Sequence, residues 1–246
     1  MPKAVHRLWQ IDFIRGIAVV CMVFYHFLWD MMFFGLYPHD ITVGGWRIFA
    51  RSVASTFLLL VGVSMALTAA RRTAEERDRQ WLVRGVKIVG WAIVITIVTR
   101  LFLGDAYVLY GILHLIGTAF LLAPLLWRIR RLAPFLGVLF VFAGIALAAY
   151  SPELSGLLPY AIPFGVRPEF YPAVDYFPVF PWLGVIMIGL GIGQWLEPRL
   201  AQAKLRTPAP PVFAQLAAVG RHSLLIYIVH QPVLLAGFFA FGYTVW

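Results

Sequence analysis

Histidine and aspartate side chains lie inside long apolar stretches of this sequence. The first stretch carries His26 and Asp30, four residues apart, and two later stretches carry His114 and His230. A neutral imidazole can act as a base, a nucleophile or a metal ligand near pH 7, and a neighbouring carboxylate can orient it. We therefore take these side chains as the first candidates for chemistry.

The elements that carry these residues must be membrane helices. Hydrophobic residues make up 61% of the 246-residue chain and charged residues 13%, against roughly 45–50% and about 25% in a soluble domain. Runs of about 20 apolar residues separated by short polar segments are typical of bilayer-spanning helices. We predict an all-α, polytopic membrane bundle of about seven transmembrane helices, forming a single domain over residues 1–246. The predicted spans are about 12–34, 47–70, 82–103, 107–127, 133–150, 176–196 and 216–242, the last of them interrupted at Pro232.

Helix geometry predicts similar depths for the three histidines. At a rise of about 1.5 Å per residue, His26 lies roughly 16 Å along its helix from Arg15 and about one turn before Asp30. The same rise puts His114 and His230 near the middle of their own spans. An ionisable group at that depth costs several kcal/mol, so a shared layer of them indicates a function. For any one histidine alone, a simple hydrogen bond between helices remains the commoner explanation.

The basic residues predict the orientation of the chain. Lys and Arg near helix ends are retained in the cytoplasm, and most of the 20 in this chain fall on the same side as the N-terminus. We predict a cytoplasmic N-terminus and a C-terminus outside. The net charge of +9 then reflects topology, and no nucleic-acid partner is expected. The predicted outer side holds Arg47, Arg51, Arg100 and Arg167.

Some of the inner basic residues could bind an anion. Arg71 and Arg72 begin an inner segment with interspersed acidic residues, for which contact with lipid headgroups is the simpler interpretation. The alternative is a site for a phosphate-bearing cytosolic cofactor, because Arg pairs with phosphate through two hydrogen bonds. Arg15 is three residues from Asp12, a spacing that favours an ion pair within one helix, and Arg221 lies at the inner end of the last span.

The predicted outer loops hold one more candidate residue and a candidate lid. His39 lies in the first outer loop, where simple surface exposure would explain it equally well. The longest outer segment, residues 151–175, is rich in Pro and aromatic residues. It could cover an outward-facing site, or it could lie at headgroup level, as membrane-interface aromatics do.

Several short segments along nearly the whole chain together resemble one family. The segments are Ile11–Ala18, Met22–His26, Phe57–Ser64, Gly111–Gly117, Asp175–Gly184 and Gly220–Pro232. In combination they are similar to the heparan-alpha-glucosaminide N-acetyltransferase catalytic-domain family, in particular its short bacterial members, within the wider transmembrane acyltransferases.

The resemblance implies an activity, its partners and a location. It implies transfer of an acetyl or similar acyl group from cytosolic acetyl-CoA, or another acyl-CoA, to an amine or hydroxyl of an extracytoplasmic saccharide. The protein would lie in the bacterial inner membrane, without a metal, and could form a homodimer.

The resemblance also assigns roles to residues. The family's catalytic histidine lies in the first outer loop, where His39 is the comparable residue, so the base is His26 or His39, with His26 as the first choice. The other expected catalytic residues are Asp30, His114 and His230. The expected coenzyme-binding residues are Arg15, Arg71, Arg72 and Arg221.

Two other functional classes fit the same residues. Several histidines and an aspartate at one depth could hold zinc in a metal-dependent membrane hydrolase. A polar layer at mid-membrane could also relay protons in a small-solute permease, although the spans show no inverted repeat.

Overall fold

The computed structural model describes residues 8–70, 72–157, 161–168, 171–202 and 209–243. All the regular secondary structure in these ranges is helical, which confirms the predicted all-α class. Short 3₁₀ turns cover Gly104–Ala106 and Ile162–Phe164. The helices are α1 (Trp9–Phe33), α2 (Gly44–Ala69), α3 (Ala74–Leu103), α4 (Ile112–Arg128), α5 (Ala133–Leu157), α6 (Val179–Gln202), α7 (Pro211–Arg221) and α8 (Ser223–Ala240).

The helices are those of a polytopic membrane protein. Within the described ranges, six of them, α1, α2, α3, α5, α6 and α8, are long and apolar enough to cross a bilayer. The shorter α4 is also apolar, and its 17 residues reach about 26 Å, just under the roughly 30 Å of a hydrocarbon core. Six full spans and one shorter apolar helix agree with the predicted bundle of about seven.

The last predicted span differs from the helices that form. We expected one element over 216–242 with its interruption at Pro232, whereas the break lies at His222, between α7 and α8. Pro232 lies inside α8, where an apolar helix tolerates the loss of one backbone donor. The N–H of His222 donates to the carbonyls of Ala218 and Val219, which closes α7.

Local capping explains two other shifts in the helix ends. Helix α3 begins before the predicted residue 82 because Thr73 and Glu76 form a capping box, in which the Glu76 N–H donates to Thr73 Oγ1 over 3.3 Å. Helix α4 begins after the predicted residue 107. There the N–H of Ile112 donates to Asp175 Oδ2 over 3.1 Å, which satisfies a donor that the first turn leaves open.

The chain divides into two compact units, and the first combines both ends of the sequence. It comprises Met1–Phe57 and Gln202–Trp246, so that α1, α7 and α8 belong to it. Helices α1 and α7 approach closely because the backbone at Gly16 lies against the carbonyl of Leu216, and that at Gly220 against the carbonyl of Asp12. A methyl group at either glycine would overlap backbone atoms. The contact therefore needs these residues for their size.

The second unit comprises Leu58–Ala201. Its helices also meet through glycines, with Gly189 of α6 against the carbonyl of Leu59 and Gly184 against that of Gly137. These glycines of α6 therefore serve close helix packing. The rings of Trp81 in α3 and Trp127 in α4 meet edge to face, 5.9 Å apart.

Candidate active site

Two of the candidate histidines meet in the first unit. His26 comes from the C-terminal half of α1 and His230 from the middle of α8, and their ring centroids lie 4.8 Å apart with the planes at 72°. His26 is half-buried, whereas His230 has only 8% of its surface exposed. The separation in sequence is 204 residues, so this contact depends on the packing of α8 against α1.

The hydrogen bonds of both rings define their tautomers. Nδ1 of His26 lies 2.9 Å from the carbonyl oxygen of Met22, and Nδ1 of His230 lies 2.7 Å from that of Tyr227. A carbonyl oxygen only accepts, so each Nδ1 must carry a proton and donate it. In the neutral rings each Nε2 therefore holds a free lone pair. Both imidazoles are oriented as bases or nucleophiles rather than as donors.

A carboxylate and an amide join the same helices beside the histidines. Asp30 is fully buried, and its Oδ1 accepts a hydrogen bond of 2.6 Å from Nε2 of Gln231. Asp30 lies four residues after His26 on α1, and Gln231 directly follows His230 on α8. Residues four apart share a helix face, so the carboxylate belongs to the same polar cluster as His26. We call His26, Asp30, His230 and Gln231 the polar cluster.

Three acceptor atoms of the polar cluster are buried without a partner among the described residues. They are Oδ2 of Asp30, Oε1 of Gln231 and Nε2 of His230. Buried polar atoms are nearly always hydrogen-bonded, and leaving one unpaired costs about 1–3 kcal/mol. All three atoms accept and none donates. The cluster is thus suited to receive hydrogen-bond donors or a proton.

The loop that carries His39 is anchored next to His26. The hydroxyl of Tyr25 donates to the carbonyl of Ile41 over 3.3 Å, which ties the loop to α1. His39 itself is exposed, with its ring 5.5 Å from that of Tyr37. The neighbouring Asp40 accepts hydrogen bonds from the hydroxyl and the N–H of Thr42, which hold the pKa of Asp40 below its usual value.

His114 belongs to the second unit and has both ring nitrogens occupied. Its Nδ1 accepts a hydrogen bond of 3.2 Å from the N–H of Gly111, so Nε2 carries the proton and donates to the hydroxyl of Thr96 at 3.3 Å. Thr96 in turn donates to the carbonyl of Val108 over 2.7 Å. This is the opposite tautomer from that of His26 and His230. The contacts give His114 the role of a cap at the start of α4.

The expected coenzyme-binding arginines lie in different settings. Arg15 forms an ion pair of 2.9 Å with Asp12 on α1, as its spacing predicted. Arg72 is exposed and donates to Oε1 of Gln80, and Arg221 is exposed at the end of α7. Arg71 lies outside the described residues. The two exposed side chains are the ones with access to a soluble anion.

Two further features complete the surroundings of the polar cluster. An apolar groove of about 390 Å³ lies in the first unit, where Val23 and Phe27 of α1 face Ile226 and Leu234 of α8. Ile226 and Leu234 lie one turn on either side of His230. Among the described residues, no group of three or more His, Cys, Asp or Glu side chains could hold a metal ion.

Comparison with known protein families gives a match over most of the chain. Residues 7–232 match the family described as "Heparan-alpha-glucosaminide N-acetyltransferase, catalytic". The chain belongs to this family. The match covers nearly the whole sequence and confirms the resemblance that the short segments indicated. No curated protein and no solved structure matches the chain.

Membership of the heparan-alpha-glucosaminide N-acetyltransferase catalytic family indicates a transmembrane acyltransferase. The family in general uses acetyl-CoA as its donor. The matched residues include His26, Asp30, His39 and His230, and also Gln231. Sequence reasoning did not single out Gln231, although its position between His230 and Pro232 in a conspicuous segment was a usable signal. A glutamine in a helix does not by itself indicate a site, and the role of Gln231 is seen only from its hydrogen bond to Asp30.

Proposed function

We propose that this protein transfers an acetyl or similar acyl group from cytosolic acyl-CoA to an amine or hydroxyl of an extracytoplasmic saccharide. The proposal includes a location in the bacterial inner membrane. Family membership over residues 7–232 supports acyl transfer. The observation that carries the proposal within the structure is the free lone pair on Nε2 of His26, because acyl transfer needs a base to remove the acceptor's proton.

His26 is proposed as that base. Its Nδ1–H is held by the carbonyl of Met22, which fixes the ring and leaves Nε2 to accept a proton. Fixing a base by a hydrogen bond on its other nitrogen is the same arrangement that orients histidines in hydrolases and metal sites. Because His26 is less buried than His230, its Nε2 is the one that an acceptor would meet first.

His39 remains the other candidate for the base. It is exposed in the loop that Tyr25 ties to α1, so it has access to the aqueous side. The carbonyl contact that fixes the ring of His26 has no counterpart among the described contacts of His39, whose ring meets Tyr37. On this ground we place His26 before His39.

The donor's phosphates would bind to exposed arginines. A guanidinium pairs well with phosphate in water-accessible positions, and Arg72, between α2 and α3, and Arg221, at the end of α7, are both exposed. Arg15 already pairs with Asp12 and would contribute through that ion pair. Arg71 completes the proposed set. The acyl-CoA itself supplies the thioester, and the residues of the chain bind it and accept a proton.

The proposal is tested with protein reconstituted in lipid vesicles. Release of thiol from acetyl-CoA is measured with glucosamine and glucose as probe acceptors, one presenting an amine and both presenting hydroxyls. We expect His26→Asn to lower the rate about 10²- to 10⁴-fold, the usual contribution of a general base. The asparagine amide can keep the hydrogen bond to Met22.

The matched control is His222→Asn. His222 also has Nδ1 on the carbonyl four residues before it, 2.9 Å from Ala218, but it is exposed at the end of α7. The control should retain the wild-type rate. Full activity of His26→Asn together with loss in His39→Asn would transfer the base to the loop, and no thiol release by the wild type would refute the proposed function.

A further inference from the structure

The polar cluster holds more buried acceptor atoms than one catalytic base would need. Asp30 is fully buried and accepts only the amide of Gln231, while its Oδ2 and Nε2 of His230 have no partner among the described residues. A carboxylate in an apolar interior requires a compensating positive charge or donors. Within the polar cluster, only the histidines can supply that charge.

We propose that His26, His230 and Asp30 form one proton-accepting unit, in which the two imidazoles share a single proton and Asp30 balances its charge. This deepens the proposed function and rests on it for its role in catalysis. His26 would touch the acceptor, whereas His230 and Asp30 would act through His26. They are therefore positioning residues.

The tautomers restrict where a proton can go. Both Nδ1 atoms already carry protons that the backbone carbonyls of Met22 and Tyr227 accept. A further proton must bind to an Nε2 atom. With the rings 4.8 Å apart and edge to face, a second proton would place two like charges side by side in an apolar interior, which is unfavourable. One proton for two rings is the expected capacity.

Asp30 completes the unit because it neutralises the cation that forms. The carboxylate is held by Gln231, next to His230, and lies one turn from His26 on α1. The other titratable side chains whose rings approach the pair in the first unit are Tyr25, 6.0 Å from His26, and Tyr227, 5.6 Å from His230. Neither tyrosine offers a formal charge near pH 7. Asp30 is thus the carboxylate of the polar cluster.

Acyl transfer that uses this unit accounts for every bond, proton and electron pair. The acceptor's N–H or O–H bond breaks and its proton moves to Nε2 of His26, while the lone pair of the acceptor atom forms the new bond to the acyl carbon. The bond between that carbon and sulfur breaks, and sulfur leaves with the electron pair. The proton held by the pair then goes to the thiolate, so that the products are the acylated acceptor and the free thiol.

The first experiment counts protons without relying on activity. Reconstituted protein labelled with ¹⁵N-histidine is titrated with acid and followed by solid-state NMR, with the signals assigned by His26→Asn, His230→Asn and His222→Asn. We expect His26 and His230 to change together and to take up one proton between them. Two full protons on the pair would overturn the proposal, as would an Nε2–H tautomer on neutral His230.

The second experiment separates stabilisation of the proton from substrate binding. Asp30→Asn keeps the shape and can still accept from Gln231, and His230→Asn keeps a donor for Tyr227 but loses Nε2. We expect each to lower kcat about 10-fold or more with the KM for acetyl-CoA unchanged, because the charge on His26 exists only during transfer. His222→Asn is again the control, and free imidazole should restore part of the kcat of His230→Ala.

The two experiments show separately whether the shared proton-accepting unit fails or the proposed acyl transfer fails. A wild-type kcat in Asp30→Asn or His230→Asn would overturn the shared unit while leaving the proposed function intact. If wild-type protein releases no thiol, the proposed function is refuted, and the proton count still decides for or against the shared unit.

Discussion

Replacing Gly220 by alanine tests the packing that holds α1 against α7. A methyl group at this position would overlap the carbonyl of Asp12 and lie 2.8 Å from the backbone nitrogen of Gly16. Both neighbours are backbone atoms, so no side chain can rotate away. Overpacking typically costs 1–3 kcal/mol, and we expect the upper end, about 3 kcal/mol. Better helix propensity returns about 1 kcal/mol, so Gly220→Ala should lower the free energy of unfolding by about 2 kcal/mol.

The matched control is Gly237→Ala in α8 of the same unit. No atom lies within 4 Å of a methyl group at Gly237, so only the propensity gain of about 1 kcal/mol remains. The two variants should therefore differ by about 3 kcal/mol in denaturant-induced unfolding of the purified protein in detergent. Equal unfolding midpoints for the two variants would refute the close approach of α1 and α7.

Two further predictions concern other parts of the chain. Because Asp40 has a lowered pKa in the folded loop, its contribution to stability is present above the unfolded pKa and is lost as pH falls through the folded one. Thr42→Ala removes the hydroxyl donor, so the pKa of Asp40, measured by NMR titration, should rise toward its ordinary value; no change would contradict the hydrogen bonds described. His114→Ala leaves the N–H of Gly111 without its acceptor and should destabilise the protein by about 1–3 kcal/mol in thermal unfolding, whereas His222→Ala on the surface should have little effect.

Much of the fold follows from the sequence because apolar length is a local property. The membrane class and the positions of most spans could be predicted. The interruption was expected at Pro232 because proline is the stronger signal in a linear sequence. At the actual break, Gly220, Arg221, His222 and Ser223 interrupt the apolar run, and a glycine followed by polar residues is also a helix stop signal.

The polar cluster was predictable only in part. The spacing of His26 and Asp30, and the depth of His230, follow from the rise of a helix. The structure brings His26 and His230 together, whereas His114, predicted near the middle of its span, is the third residue of α4 and makes its own contacts in the second unit. What the sequence could not predict is the tautomer of each ring, because it depends on which atom faces each nitrogen. The partnership of Asp30 with Gln231 likewise depends on how α8 packs against α1.

The Nδ1 contacts of both histidines come from the main chain and not from side chains. In His26 and His230 the proton is kept in place by a carbonyl of the residue's own helix, three or four positions earlier. The Nδ1–H tautomer of each imidazole is therefore determined within a single turn of main chain. Side chains around the pair can therefore differ without changing which nitrogen of each ring carries the proton.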